Sequence, residues 1–183
     1  MQTANPRSPL ATLSKSTDAI ALLDEDHRRL EKIFREFETL PDDAEDETKR
    51  GVVERASAAL IVHIRIEEEI FYPAVHRLLS ERILSEETVM EHSAARELME
   101  SLERLEPSDP FYDATFVVLA EYVKHHVRSQ EKEIFPRIRK AAPDLNEVGA
   151  QMKERKDELE DEDGPTENGP VSERMVNRVR GQV

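Results

Sequence analysis

Residues 63–73 read His63-Ile64-Arg65-Ile66-Glu67-Glu68-Glu69-Ile70-Phe71-Tyr72-Pro73, and residues 126–136 read His126-Val127-Arg128-Ser129-Gln130-Glu131-Lys132-Glu133-Ile134-Phe135-Pro136. Both stretches open on a histidine, carry carboxylates one turn later, and close on a Phe followed within two residues by Pro. They read as a weak internal repeat. His63 and Glu67 are i, i+4 and share a helix face. His126 and Glu131 are i, i+5, about 140° apart on an ideal helix, so Glu131 either reaches in from the edge or is brought round by a π-type turn. Gln130 has the better angle but is neutral and a poor metal ligand. Pro73 and Pro136 are expected to kink or end their helices just past this point.

Working outward, apolar residues recur at three- and four-residue spacing through four segments, at about 18–40, 46–79, 84–106 and 109–141. The first stripe is Ile20, Leu23, His27, Leu30, Phe34 and Phe37, and the second is Val53, Ala56, Leu60, His63, Glu67, Ile70 and Ala74. The third is Val89, His92, Arg96 and Met99, beside Leu98, Leu102 and Leu105. The fourth is Phe116, Leu119, Val123, His126, Gln130 and Ile134, with Val127, Glu131 and Ile138 alongside. Each segment therefore sets one histidine among residues that face a core. Short breaks at Pro41-Asp42-Asp43, at Ser80 to Ser85 and at Pro107-Ser108-Asp109-Pro110 imply antiparallel neighbours. An all-α, up-down-up-down four-helix bundle is the expected fold. Ser16, Thr17 or Asp18 suits the first N-cap, and Asp109 before Pro110 suits the fourth helix start.

Height along the bundle brings the histidines together. His27 and His92 lie about 13 and 14 residues before their helix ends, and His63 and His126 about 17 after theirs begin, a mismatch of roughly one turn. A buried imidazole needs a partner, and four at one level need a shared one. With Glu67 and Glu131 they form a candidate metal set of His27, His63, Glu67, His92, His126 and Glu131. That is too many ligands for one tetrahedral zinc, so two ions fit better. Imidazole and carboxylate suit iron, manganese or zinc. His76 and His125 fall off the seam and read as surface residues.

Composition narrows the alternatives. The chain has 183 residues and a formal charge of −14, which opposes nucleic acid as a partner because phosphate binding needs clustered Lys and Arg. With no cysteine, thiolate chemistry, Fe–S clusters and Cys-based zinc sites are excluded. No apolar run reaches the roughly 18 residues of a membrane span, and the start lacks a signal-like apolar stretch, so a cytoplasmic location is expected. A ferritin-like site needs Glu-x-x-His motifs, and Asp24-x-x-His27 is the only near match. Residues 1–17 read as a flexible lead-in, 18–142 as the bundle, and 143–183 as a mostly disordered acidic tail with at most a transient helix around 147–162.

These residues resemble the hemerythrin and HHE-domain family over about 18–141. What matches is His27, the His63-x3-Glu67 pair, His92 and the His126-x4-Glu131 pair, with Glu131 where invertebrate hemerythrins have Asp. The resemblance implies a non-haem di-iron centre of two iron ions, with bridging carboxylates and terminal histidines. It implies a small diatomic ligand (O2 or NO) or peroxide as partner. Oxygen carriers of that family place a second histidine four residues after the one matching His92, and here Arg96 stands there. An always-protonated guanidinium cannot ligate iron. That leaves an open or water-filled position, or a substitute such as Tyr122, Glu68 or Glu91. The expected function is O2, NO or redox sensing or binding. The alternatives are a di-iron enzyme acting on peroxide or NO, catalase- or peroxidase-like, and an iron-handling protein.

Overall fold

A computed structural model describes residues 18–79, 86–142 and 144–162. All regular structure in them is helical, and the molecule is a helical bundle. Helix α1 spans Ala19–Glu38. Helix α2 (Asp46–Ile66) runs through a π turn, Glu67–Phe71, into α3 (Tyr72–Leu79). Helix α4 spans Glu86–Arg104. Helix α5 (Tyr112–Ser129) runs through a second π turn, Gln130–Ile134, into α6 (Phe135–Ala141), and α7 spans Asn146–Glu162. Helix α1 packs on α2, α4 on α5, and α3 beside α6.

Local chemistry sets the ends. Asp18 is the N-cap of α1, its Oδ1 accepting from the Ala21 amide at 3.1 Å. Thr39 closes that helix, its amide and hydroxyl both donating to the Glu36 carbonyl. Asp109 Oδ1 accepts the Phe111 amide at 2.8 Å and turns the chain into α5. The two prolines break nothing. Pro73 and Pro136 each fall at the second residue after a π turn, where Tyr72 N–H reaches back to the Glu67 carbonyl and Phe135 N–H to the Gln130 carbonyl. The wider turn makes room for a ring that would otherwise clash one turn back, so both rods continue past it.

Two apolar clusters fill the interior. One gathers Leu30, Phe34, Leu60, Met99, Phe116 and Val123; the other gathers Leu23, Ile66, Phe71, Tyr72, Phe135 and Ile138. The histidines lie at the boundary between them. The seam residues read from sequence are buried or partly buried except Val89 and Glu131, which are exposed; the inner face of α4 runs through Thr88, His92, Ala95, Met99 and Leu102.

Residues 146–162 depart from the expected disordered tail. They form α7, which docks on α1, α2 and the first π turn. Leu145, Met152 and Leu159, spaced seven apart, are almost fully buried in the second cluster with Val148 packed partly against it, and the outer side of the helix is mostly charged or polar. The lead-in (1–17) and the rest of the tail (163–183) lie outside the described residues.

Arg139 of α6 clamps the Asp18 cap, Nη1 to Oδ2 at 2.6 Å and Nη2 to Oδ1. Burial works against the Asp18 charge, but Arg139 and the Ala21 amide outweigh it and hold the carboxyl below its ordinary 3.8. A depressed carboxyl stabilises the fold above its unfolded value and stops doing so as pH falls through the folded one. Asp18→Ala therefore costs about 1 kcal/mol at pH 7 and progressively less below about pH 4. Urea unfolding at pH 7 and pH 3 checks this.

Candidate metal centre

Five of the six sequence-selected residues converge. His27 comes from α1, His63 from α2, Glu67 from the first π turn, His92 from α4 and His126 from α5. All five are buried, Glu67 completely. Its Oε2 lies 3.3 Å from His92 Nε2, 3.5 Å from His126 Nε2 and 3.6 Å from His63 Nε2. The imidazoles crowd one another, with ring centroids 5.1 Å apart for His27 and His63 and 4.9 Å for His92 and His126. Phe135 stacks parallel on His27 and fixes its plane.

The Nε2 atoms of His27, His63, His92 and His126, Glu67 Oε2 and Gln130 Oε1 are buried without a hydrogen-bond partner. Stranding one buried polar atom costs about 1–3 kcal/mol, so six in one place need an occupant. His63, Glu67 and His126 offer ligand atoms all within 4.8 Å of one another and are all buried, and His27 forms a second such group with Asp24 and Glu131 at its outer side. Neutral imidazole nitrogens and a carboxylate are donors for a transition-metal cation, and they fit one here.

The sixth residue stands apart. Glu131 is half exposed and faces the outer nitrogen of His27, Nδ1 to Oε1 at 3.0 Å. Gln130 is the buried residue on that side, its amide donating to Glu67 Oε1 and, at 2.7 Å, to the Tyr72 hydroxyl. The cause is angular. The π turn begins only at Gln130, whose amide still reaches back to the His126 carbonyl, so i+4 keeps the inward face and the turn comes too late to rotate Glu131 inward. The sequence offers Gln130 as the better-angled residue; its neutrality is what disfavours it as a ligand.

Around the inner donors runs a collar of carboxylates. His92 Nδ1 meets Glu68 Oε1 at 2.8 Å, and His126 Nδ1 meets Glu91 Oε2 at 2.8 Å. His27 has Glu131, and His63 has Asp26, whose Oδ2 is 3.8 Å away. Such contacts fix the ring and the tautomer that turns the other nitrogen inward. Arg96 belongs to this collar. Its Nη2 is 2.5 Å from Glu68 Oε2, so the guanidinium is balanced by a carboxylate and lies outside the donor cluster. Tyr122 is half exposed, at the edge of a crevice lined by His63, His92 and His126. The buried phenol beside the donors is Tyr72, whose hydroxyl is 3.5 Å from Glu67 Oε1. Sequence spacing gives no hint of it beyond its place five residues after Glu67. His76 and His125 are on the surface.

The charges are arranged to suit a cation. Burial, then repulsion from His63, lowers His27 to about 4, so it is neutral at pH 7 and ready to donate. Burial also works against a charged His126, but Glu67 and Glu91 outweigh it and raise it to about 9. Glu67 is held well below the usual carboxylate range, its burial outweighed by His63, His126 and His92. Without metal, protons on imidazole balance Glu67. With metal, those protons leave.

The sequence matches the hemerythrin HHE cation-binding domain family over residues 18–138. It is similar to a DNA nickase of Nostoc sp. (strain PCC 7120 / SAG 25.82 / UTEX 2576), 29% identical over 114 residues, covering 62% of this chain but only 31% of that protein. The chain thus spans about a third of the length of that curated relative. A crystal structure of a hemerythrin HHE cation-binding domain-containing protein from Mycobacterium kansasii shares the fold, with a TM-score of 0.67 at 20% identity, covering 86% of this chain and 98% of that one. None of the described helices is long and apolar enough to cross a membrane. With its family signature lying over the helices that carry the donors, the chain belongs to the hemerythrin HHE cation-binding domain family.

Proposed function

We propose that the chain is a non-haem di-iron protein in which His27, His63, Glu67, His92 and His126 hold two iron ions in an up-down-up-down four-helix bundle, binding O2 or NO or reporting its own redox state. The carrying observation is the set of buried donor atoms without partners around Glu67. Glu131 joins the ligand set by exchanging its contact with His27 for metal. Manganese or zinc would meet the same donors. Bound iron supplies one-electron chemistry and an affinity for small oxygen and nitrogen ligands.

The chain's own residues shape what that iron meets. Glu67 supplies the fully buried negative charge, and the collar carboxylates supply more at one remove. Arg96 is committed to Glu68, so the position after His92 offers no donor, which supports oxidation by O2 over reversible carriage. A cavity of about 290 Å³ reaches His27 between Leu30, Phe34, Val123 and Val127, giving a small molecule a route to one side of the centre. That cavity favours a second reading, an enzyme that turns over peroxide or NO. Iron handling has no comparable observation behind it. DNA cleavage is left to the nickase relative, because a charge of −14 repels a phosphate backbone.

Anaerobic Fe(II) titration of the purified protein tests the proposal, with uptake approaching two ions per chain expected. Stopped-flow mixing with O2 is expected to oxidise the loaded protein in one direction. Uptake that stops at one ion or below would overturn the di-iron proposal, and a reversible oxygen adduct would overturn the preference for oxidation over carriage. Turnover of added peroxide would select the enzyme reading.

A further inference from the structure

Three of the four histidines have their outer nitrogen on a carboxylate at 2.8–3.0 Å. The fourth, His63, is different. Its Nδ1 is 3.8 Å from Asp26 Oδ2, and neither atom has any hydrogen-bond partner. Asp26 is itself almost fully buried, and its other oxygen is held by Lys156 Nζ. Lys156 comes from α7, which lies outside the four helices that carry the donors. The Lys156 side chain is mostly buried, at 16% exposure, unlike the half-exposed Arg29–Glu160 pair between the same two helices. Placing a lysine ammonium there costs solvation that a mere surface clamp would avoid.

We propose that Lys156 is a positioning residue for the metal centre: by anchoring Asp26 Oδ1 it leaves Oδ2 to accept the His63 Nδ1–H, which turns Nε2 toward the metal and makes α7 part of the binding machinery. The inference rests on the reading that His63 is a ligand. The arrangement is a chain of contacts, cation to carboxylate to imidazole, and its function is orientation. It also links the docking of α7 to how firmly metal is held, because Lys156 reaches Asp26 only when Leu145, Met152 and Leu159 are seated.

The experiment uses the full chain loaded with Co(II), whose visible bands report ligand geometry. Variants are Lys156→Met, Lys156→Arg, Asp26→Asn, the Asp26→Asn/Lys156→Met double variant, and Arg155→Met, which removes the neighbouring α7 contact to Glu69. Lys156→Met is expected to release Co(II) to a chelator about tenfold faster and to shift the bands, with helicity retained. Lys156→Arg should restore much of the wild-type rate, and Arg155→Met should change neither readout. In the Asp26→Asn background Lys156→Met should add nothing further, whereas loss of α7 docking alone would add. Wild-type release and bands in Lys156→Met, or full additivity in the double variant, would overturn the inference alone. If the wild-type chain takes up no Co(II), the metal-centre reading falls and the inference falls with it.

Discussion

Glu67→Ala is expected to abolish metal retention while leaving the bundle helical. Glu67 is the fully buried carboxylate in contact with three inward-facing imidazole nitrogens, so its loss removes a ligand and the charge that draws a cation inward. Affinity should fall by more than about 100-fold, beyond what loss of a collar contact costs. Wild-type protein with metal at about 100 times its dissociation constant gains about 2.7 kcal/mol of stability, and the variant should gain none. Thermal unfolding with and without Fe(II) reads this directly; an equal metal-induced gain in both proteins would refute the assignment. The pH dependence has a definite sign. His126, raised from 6.5 to about 9, stabilises the metal-free fold while protonated and loses that contribution as pH rises through about 9. Metal must displace that proton, so apparent affinity should climb with pH over the same interval.

The second large effect concerns α7. A chain ending at residue 142 is expected to lose on the order of 3 kcal/mol, since burying each of Leu145, Met152 and Leu159 contributes about 1.5–3 kcal/mol before the ordering cost of the helix. The cut also uncovers Val62, Ile66 and Ala19, which share their cluster. Leu159→Ala alone should cost about 2–4 kcal/mol. Urea denaturation of both against the full chain is the measurement. A truncated chain as stable as the full one would mean that α7 adds nothing to the core.

Much of this was legible because burial has a period. Leu23, His27, Leu30 and Phe34, or Leu119, Val123 and His126, repeat every three or four residues, and a histidine in such a row must point inward. The level of the four rings followed from loop positions alone. Three things escaped, wholly or in part, for physical reasons. The inward residue after His126 was decided on chemistry, which favours a carboxylate, whereas the backbone decided on angle and put Gln130 there. Helix α7 escaped because one apolar residue every two turns, at Leu145, Met152 and Leu159, is diluted by charges until the segment resembles a solvated tail. The collar was legible only in part: Glu68 and Glu91 stood out as possible substitute ligands, whereas Asp26 looks like a surface acid until the fold sets it behind His63.

That collar bears on the electronics of any redox-active ion the centre takes. An imidazole whose outer N–H leans on a carboxylate gains imidazolate character and becomes a stronger electron donor. Three of them, with Glu67 beneath, would favour the more highly charged state of a redox-active ion and pull its reduction potential low. Arg96 and Lys156 act as counterweights, each drawing charge from one collar carboxylate and leaving less for His92 or His63. Among the described residues Glu131 and Glu91 pair with histidines rather than with a lysine or arginine, so His27 and His126 would keep the donor strength that His92 and His63 give up.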